Sequence, residues 1–124
     1  MAAIKPTMLD VSMKGDGSCM LVTWTPVTEN DTCVAVQLPQ YTDKSLHVSG
    51  TFGGSSTALQ GSNSITGATF AALRSPDSVA IALTADSIKA VLENTFQVKP
   101  VPTGGTAQSL TINLLAHLSN PLRQ

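Results

Sequence analysis

Hydrophobic and polar residues alternate along much of this chain. In "SLHVSGTF", residues 45–52, every second residue is apolar or glycine, and "SLTINLLAHL", residues 109–118, repeats the pattern with Leu115 as its one exception. Alternation with a period of two is typical of a β-strand with one buried and one solvated face. "CMLVTWT" and "CVAVQL" are further runs of strand length that are rich in β-branched residues, so the chain is predicted to be built from strands.

Turn-forming sequences separate these runs at regular intervals. They include "KGDG" at 14–17, "FGGSS" at 52–56 and "PTGGTAQ" at 102–108, whose residues favour tight turns. About eight short strands at this spacing predict an all-β fold, an antiparallel β-sandwich or jelly roll. We expect residues 18–124 to form this single domain, with strand 110–118 central and Leu110, Ile112 and Leu114 buried.

The glycine-rich stretch "HVSGTFGGSSTALQGSN" at 47–63 raises the question of a phosphate-binding loop. Such a loop needs a lysine after its last glycine, and no lysine occurs between Lys44 and Lys89. The stretch instead predicts a tight hairpin turn at "FGG", with Gly50 on the inward face of the preceding strand.

One segment departs from the period of two. In "TADSIKAVLENT", Ile88, Val91 and Leu92 fall at helical spacing, and Thr84 or Asp86 is available as an N-cap. The pattern predicts one short helix at about 86–93.

Residues 1–17 are only weakly patterned and leave two alternatives open. The segment is either an N-terminal arm that becomes ordered on a partner, or an edge strand hairpinned at "KGDG" onto "SCMLVTWT". An arm of this kind would need anchors for its partner. The residues proposed for that contact are Ile4, Lys5, Met8, Leu9, Val11 and Met13.

Composition narrows the class of partner. The 124 residues are only 12% charged, with a formal net charge of −1, so neither nucleic acid nor an anionic membrane has electrostatic support. The apolar runs fall far short of the roughly 20 residues of a membrane span, and the N-terminus lacks the apolar core of a secretory signal. We expect synthesis in a reducing cytosol, where Cys19 and Cys33 stay free thiols, and a surface largely covered by other protein.

Candidate chemistry is sparse. His47 and His117 fall on outward faces of predicted strands, the carboxylates are spread singly along the loops, and no nucleophile elbow or zinc motif occurs. The sequence therefore predicts no catalytic residue, cofactor or metal site, and no enzyme. Tyr41 is the aromatic residue that looks free for contact. With "LQGSN" at 59–63, similar to a stretch of discoidin-like modules, it keeps a glycan-binding module or tail component as the alternative.

Several motifs taken in order carry a resemblance. They are "TWTPVTENDTCVAVQLPQYTDKSLHVSGTFG", then "LQGSN", "IKAVLEN", "VKPVPTGG" and "SLTINLLAHL", together covering roughly residues 22–118. The series resembles a family of small tailed-phage proteins encoded among the head genes, some of which are capsid cement or decoration proteins with a jelly-roll fold.

The resemblance implies a structural virion protein on the capsid surface, assembled in the host cytoplasm. The implied partners are the major capsid protein of the phage head and other copies of this chain, as a dimer or trimer. It implies no catalytic residue, and the low net charge gives no reason to add a nucleic-acid or membrane partner.

Overall fold

A computed structural model describes residues 3–29, 31–65 and 69–118, and in these ranges the fold is all-β, without a helix. Seven of the strands in these described ranges have four or more residues. The strands are β1 (Ala3–Ile4), β2 (Thr7–Asp10), β3 (Cys19–Thr28), β4 (Thr32–Cys33), β5 (Val36–Gln37), β6 (Tyr41–Thr51), β7 (Ser56–Ser62), β8 (Ala71–Ala72), β9 (Ala82–Leu83), β10 (Ser87–Ala90), β11 (Gln97–Thr103) and β12 (Ser109–Leu118).

The strands form an antiparallel β-sandwich. One five-stranded sheet has the order β10-β6-β12-β3-β2, and the other has the order β5-β11-β7-β8, with β9 also pairing β7. The pair β1 and β4 is a short parallel addition. The predicted fold class is confirmed, and β12 is central in the first sheet. The predicted domain runs to residue 124, and residues 119–124 lie outside the described ranges.

The core lies between the two sheets and follows the alternation in the sequence. Leu110, Ile112 and Leu114 of β12 are fully buried, as predicted, and Val22 and Trp24 of the neighbouring β3 lie on the same inner face. Leu59 and Val98 face them from the second sheet and are also fully buried.

The predicted helix at about 86–93 is wrong. Residues 87–90 form strand β10, which pairs antiparallel with the edge of β6 and places Ile88 opposite His47. Asp86 does not cap a helix, because its Oδ1 accepts a hydrogen bond of 3.2 Å from the backbone N–H of Gly50. A neighbouring strand satisfies the backbone groups here, so the apolar spacing does not decide the local structure.

The "FGG" turn joins the two sheets instead of closing a hairpin within one. β6 belongs to the first sheet and β7 to the second, and the turn between them is closed by a 2.9 Å bond from the Ser55 N–H to the Phe52 carbonyl. Gly50 has φ of 118°, and a Cβ at this position would overlap the carbonyl oxygen of Ser109. Glycine therefore permits the close approach of β6 and β12.

The N-terminal segment takes part in the sandwich. β2 pairs antiparallel with β3, and β1 pairs with β4. The turn after β2 is organised by Asp10, whose carboxylate accepts from the N–H groups of Ser12 at 2.9 Å and Gly17 at 3.0 Å. The hydrogen bonds from Ser12, and to a smaller extent the one from Gly17, lower the pKa of the Asp10 carboxyl. Of the two alternatives for this segment, the described geometry is that of an edge strand.

Candidate partner-binding surface

Strand β2 forms one edge of the first sheet and is exposed along its whole length. Met8 is 48% exposed and Leu9 61% exposed. Most apolar side chains of a strand lie against the core, so two large exposed ones on one short edge strand mark this edge as unusual.

The backbone of β2 also offers hydrogen-bonding groups at its outer side. The Val11 N–H donates to the Cys19 carbonyl at 2.9 Å, and in an antiparallel ladder the residues facing the partner strand alternate. The backbone N–H and C=O groups of Leu9 therefore point towards β3, where Leu9 pairs with Leu21. The backbone N–H and C=O groups of Met8 and Asp10 point away from the sheet. This geometry can accept an added strand.

An apolar row crosses the outer face of the same sheet. Leu9 on β2 lies opposite Leu21 on β3, and Leu21 lies opposite Leu115 on β12. Leu21 and Leu115 are half-buried. We call Leu9, Leu21 and Leu115 the leucine row. Met13, which follows β2, is 101% exposed, so apolar surface continues past the end of the strand.

The outer face around the leucine row carries little charge. Among its outward strand residues that the structure describes, none is lysine or arginine, and the one carboxylate is Asp43. These residues include Thr7, Leu9, Cys19, Leu21, Thr23, Thr25, Asp43, Ser45, His47, Ser49, Thr51, Ile88, Ala90, Ser109, Thr111, Asn113, Leu115 and His117. Covering this face with another protein costs little desolvation free energy, because few charged groups are removed from water.

The predicted contact residues separate into two groups. Met8, Leu9, Val11 and Met13 are exposed, and so is Lys5. The second group consists of the two residues that pack inwards, Ile4 and Tyr41.

Ile4 pairs with Cys33 and packs against the core, so it anchors the segment to its own chain. The interpretation of Tyr41 as a free aromatic is wrong. Tyr41 is 7% exposed, and its hydroxyl donates a 2.7 Å bond to the Gly17 carbonyl. Burial, the largest cause, raises its pKa.

A buried lysine escaped the sequence analysis. Lys44 is buried, and its Nζ donates to the carbonyl of Tyr41 at 2.6 Å and to Oδ1 of Asn94 at 2.9 Å. Desolvation lowers its pKa. The alternation in the sequence indicates this burial, because Lys44, Leu46 and Val48 are alternate residues of β6 and point to the same inner face.

A cleft of about 320 Å³ is lined by two carboxylates that stand two residues apart in the sequence, Glu29 and Asp31. Both fasten nearby backbone. Glu29 accepts from the Ala107 N–H at 3.0 Å, and Asp31 accepts from the Thr28 N–H at 2.9 Å. The geometry therefore gives them a role in holding the loops at this end of the sandwich.

Compared with family models, with curated proteins and with solved structures, the chain has no significant match. Within the described ranges, no helix is long and apolar enough to cross a bilayer. In the same ranges, no three side chains of His, Cys, Asp or Glu gather in a geometry suited to a metal ion.

Proposed function

We propose that this chain is a structural virion protein, a capsid cement or decoration protein that binds and stabilises the shell of a tailed phage. The observation that carries the proposal is the exposed edge strand β2, with Met8 and Leu9 in solvent and the leucine row beside it. The resemblance of the ordered motifs to small phage head proteins supplies the partner class.

The surface fits a binding mode in which a strand of the major capsid protein adds to β2. Main-chain hydrogen bonds to Met8 and Asp10 would pair the added strand with β2. The side chain of Leu9, between these two residues, would make an apolar contact with the added strand. The opposite edge strand, β10, carries Lys89, a residue that discourages edge pairing. β2 is therefore better suited than β10 to pair with an added strand.

Such a protein stabilises the shell by mass action. A ligand that binds the assembled lattice and not the free subunit lowers the free energy of the lattice alone. A further contact between copies of this chain, in a dimer or trimer, would raise the avidity of each weak contact. The nearly uncharged outer face suits such a second interface.

The test is co-sedimentation with shells assembled from the major capsid protein encoded in the same genome. The chain is expected in the pellet with assembled shells and in the supernatant with unassembled subunits. Failure to sediment with shells would reject the decoration role.

A proline variant separates binding by β2 from binding elsewhere. Met8→Pro removes an N–H that points away from β3, so the fold is kept while strand addition is blocked. Ala90→Pro is the matched control on β10, since Val91 N–H bonds the Lys44 carbonyl and Ala90 therefore faces outward. Binding lost with Met8→Pro and kept with Ala90→Pro supports the β2 mode. Equal binding by both variants places the contact elsewhere.

A glycan-binding role on the virion, or a tail component, was the alternative. The aromatic platform that it relied on was Tyr41, which lies in the core. No observation on the described surface favours this alternative over the decoration role.

A further inference from the structure

A thiol, an imidazole and a carboxylate lie side by side on the outer face of the first sheet. His117 on β12 is in register with Cys19 on β3 and with Asp43 on β6. The three residues therefore form one cross-strand row, in the order Asp43, His117 and Cys19. This row adjoins the leucine row and is not used by the proposed contact at β2.

Of the two residues that flank His117 in this row, Cys19 is the closer one. The Leu118 N–H bonds the Ser18 carbonyl at 2.9 Å, so His117 and Cys19 form a non-hydrogen-bonded pair, in which opposing side chains come closest. Sγ of Cys19 lies 3.9 Å from Nε2 of His117, a long hydrogen-bonding distance for sulfur. A thiol in this position can pass its proton to the imidazole.

The second cysteine provides an internal contrast. Cys33 is 7% exposed, and burial raises the pKa of its thiol to about 12. Cys19 is half-exposed at the sheet surface. A reactive thiol needs access to its reagent and a base that can take its proton. Cys19 has both, because it is half-exposed and lies beside His117, whereas Cys33 is buried.

We propose that Cys19 is a thiol–disulfide exchange site that accepts small disulfides, with His117 as its base. The proton on Sγ of Cys19 moves to Nε2 of His117, and the thiolate attacks one sulfur of a disulfide R–S–S–R. The bond between Cys19 and that sulfur forms as the old S–S bond breaks. The other sulfur leaves as the thiolate R–S⁻, and His117 returns its proton to the solvent, or to R–S⁻ where that thiolate is basic.

Other ionisable groups surround the row. Asp43 faces His117 from β6, and Tyr41, also on β6, feels the charge of Cys19 and of Asp10 from β2. Carboxylates oppose thiolate formation by like charge. His117 is therefore the group on which exchange near neutral pH depends.

The experiment uses the full chain with Cys33→Ala, so that Cys19 is its one thiol, and an aromatic disulfide whose released thiolate is coloured. One equivalent of thiolate is expected from the folded protein, and mass spectrometry should place the mixed disulfide on Cys19. His117→Gln in this background is expected to slow exchange about tenfold at pH 7. His47→Gln is the matched control on the same face, and its rate should equal that of the parent.

The pH profile distinguishes a base from a packing residue. The parent should exchange faster than His117→Gln near neutral pH, and the two rates should converge in alkali, where hydroxide can take the thiol proton without the imidazole. Melting temperatures confirm that each variant is folded. An unreactive Cys19, or equal rates and profiles for the parent and His117→Gln, would overturn the proposal.

Discussion

The indole Nε1 of Trp24 donates a hydrogen bond of 2.9 Å to the carbonyl oxygen of Val34. Trp24 is fully buried on the inner face of β3, and Val34 directly follows β4. The Val34 N–H in turn donates to the Ile4 carbonyl at 2.9 Å. One buried side chain therefore ties the first sheet to the β1–β4 pair.

Trp24→Phe is expected to lower the free energy of unfolding by about 2–4 kcal/mol. The variant leaves a partly empty site and a carbonyl without its donor. Unfolding in urea should be followed by circular dichroism, because Trp24 is the one tryptophan of the chain. Tyr41→Phe, which loses the bond to Gly17, is the comparison and should cost about 1 kcal/mol. A smaller loss for Trp24→Phe than for Tyr41→Phe would contradict this account.

Ile112 tests the register of the central strand. Ile112→Asp should leave no soluble folded protein, because an unpaired buried charge costs more than the roughly 5–15 kcal/mol that stabilises a domain. Ile112→Leu conserves volume and should cost less than about 1.5 kcal/mol. Asn113→Asp is the outward control, since Thr23 can still donate to it as it does now at 2.7 Å. A folded Ile112→Asp protein with the parent melting temperature would refute the register.

Gly50→Ala should destabilise the protein by about 2–4 kcal/mol, measured by thermal unfolding. Its φ of 118° is unfavourable for alanine, and the added Cβ would meet Ser109. Gly54→Ala shares the positive φ, at 87°, but has open space around the added carbon. It should therefore cost only the backbone strain, about 1–2 kcal/mol. Equal losses would show that β6 and β12 can move apart at no cost.

Cys33 should make stability fall in alkali. Burial raises its pKa from the ordinary 9.0 to about 12, so between these values the folded chain holds a proton that the unfolded chain releases. The stabilisation is complete well below pH 9 and declines as pH rises towards 12, by about 1.4 kcal/mol at pH 10. The measurement is the difference between the parent and Cys33→Ala, because Lys44 and Tyr41 contribute equally to both. A difference that is independent of pH between 8 and 10 would contradict a buried thiol.

Local patterns in the sequence were sufficient where one strand face is buried. Alternation correctly predicted β6 and β12 and, read strictly, also predicts the burial of Lys44. The segment at β10 was misread because an edge strand exposes both faces and loses its alternation. Its partner residues on β6 are 39 to 45 residues away in sequence, so no local rule could indicate them.

The leucine row and the Cys19–His117 contact depend on register between strands that are distant along the chain. The sequence shows the outward parity of Leu115 and His117, but not which residues stand opposite. The burial of Tyr41 has the same origin, since its hydroxyl partner Gly17 belongs to another turn.

The position of β12 also governs the order in which the protein can be completed during translation. β3 and β6 are separated by β12 in the sheet and do not pair with each other. The nascent chain thus leaves the ribosome with the inner edges of both strands unpaired until residues 109–118 emerge. Until Ser109–Leu118 is synthesised, the strands paired with β3 and the strands paired with β6 are not joined in one sheet. The unpaired edges of β3 and β6 can then pair with other chains.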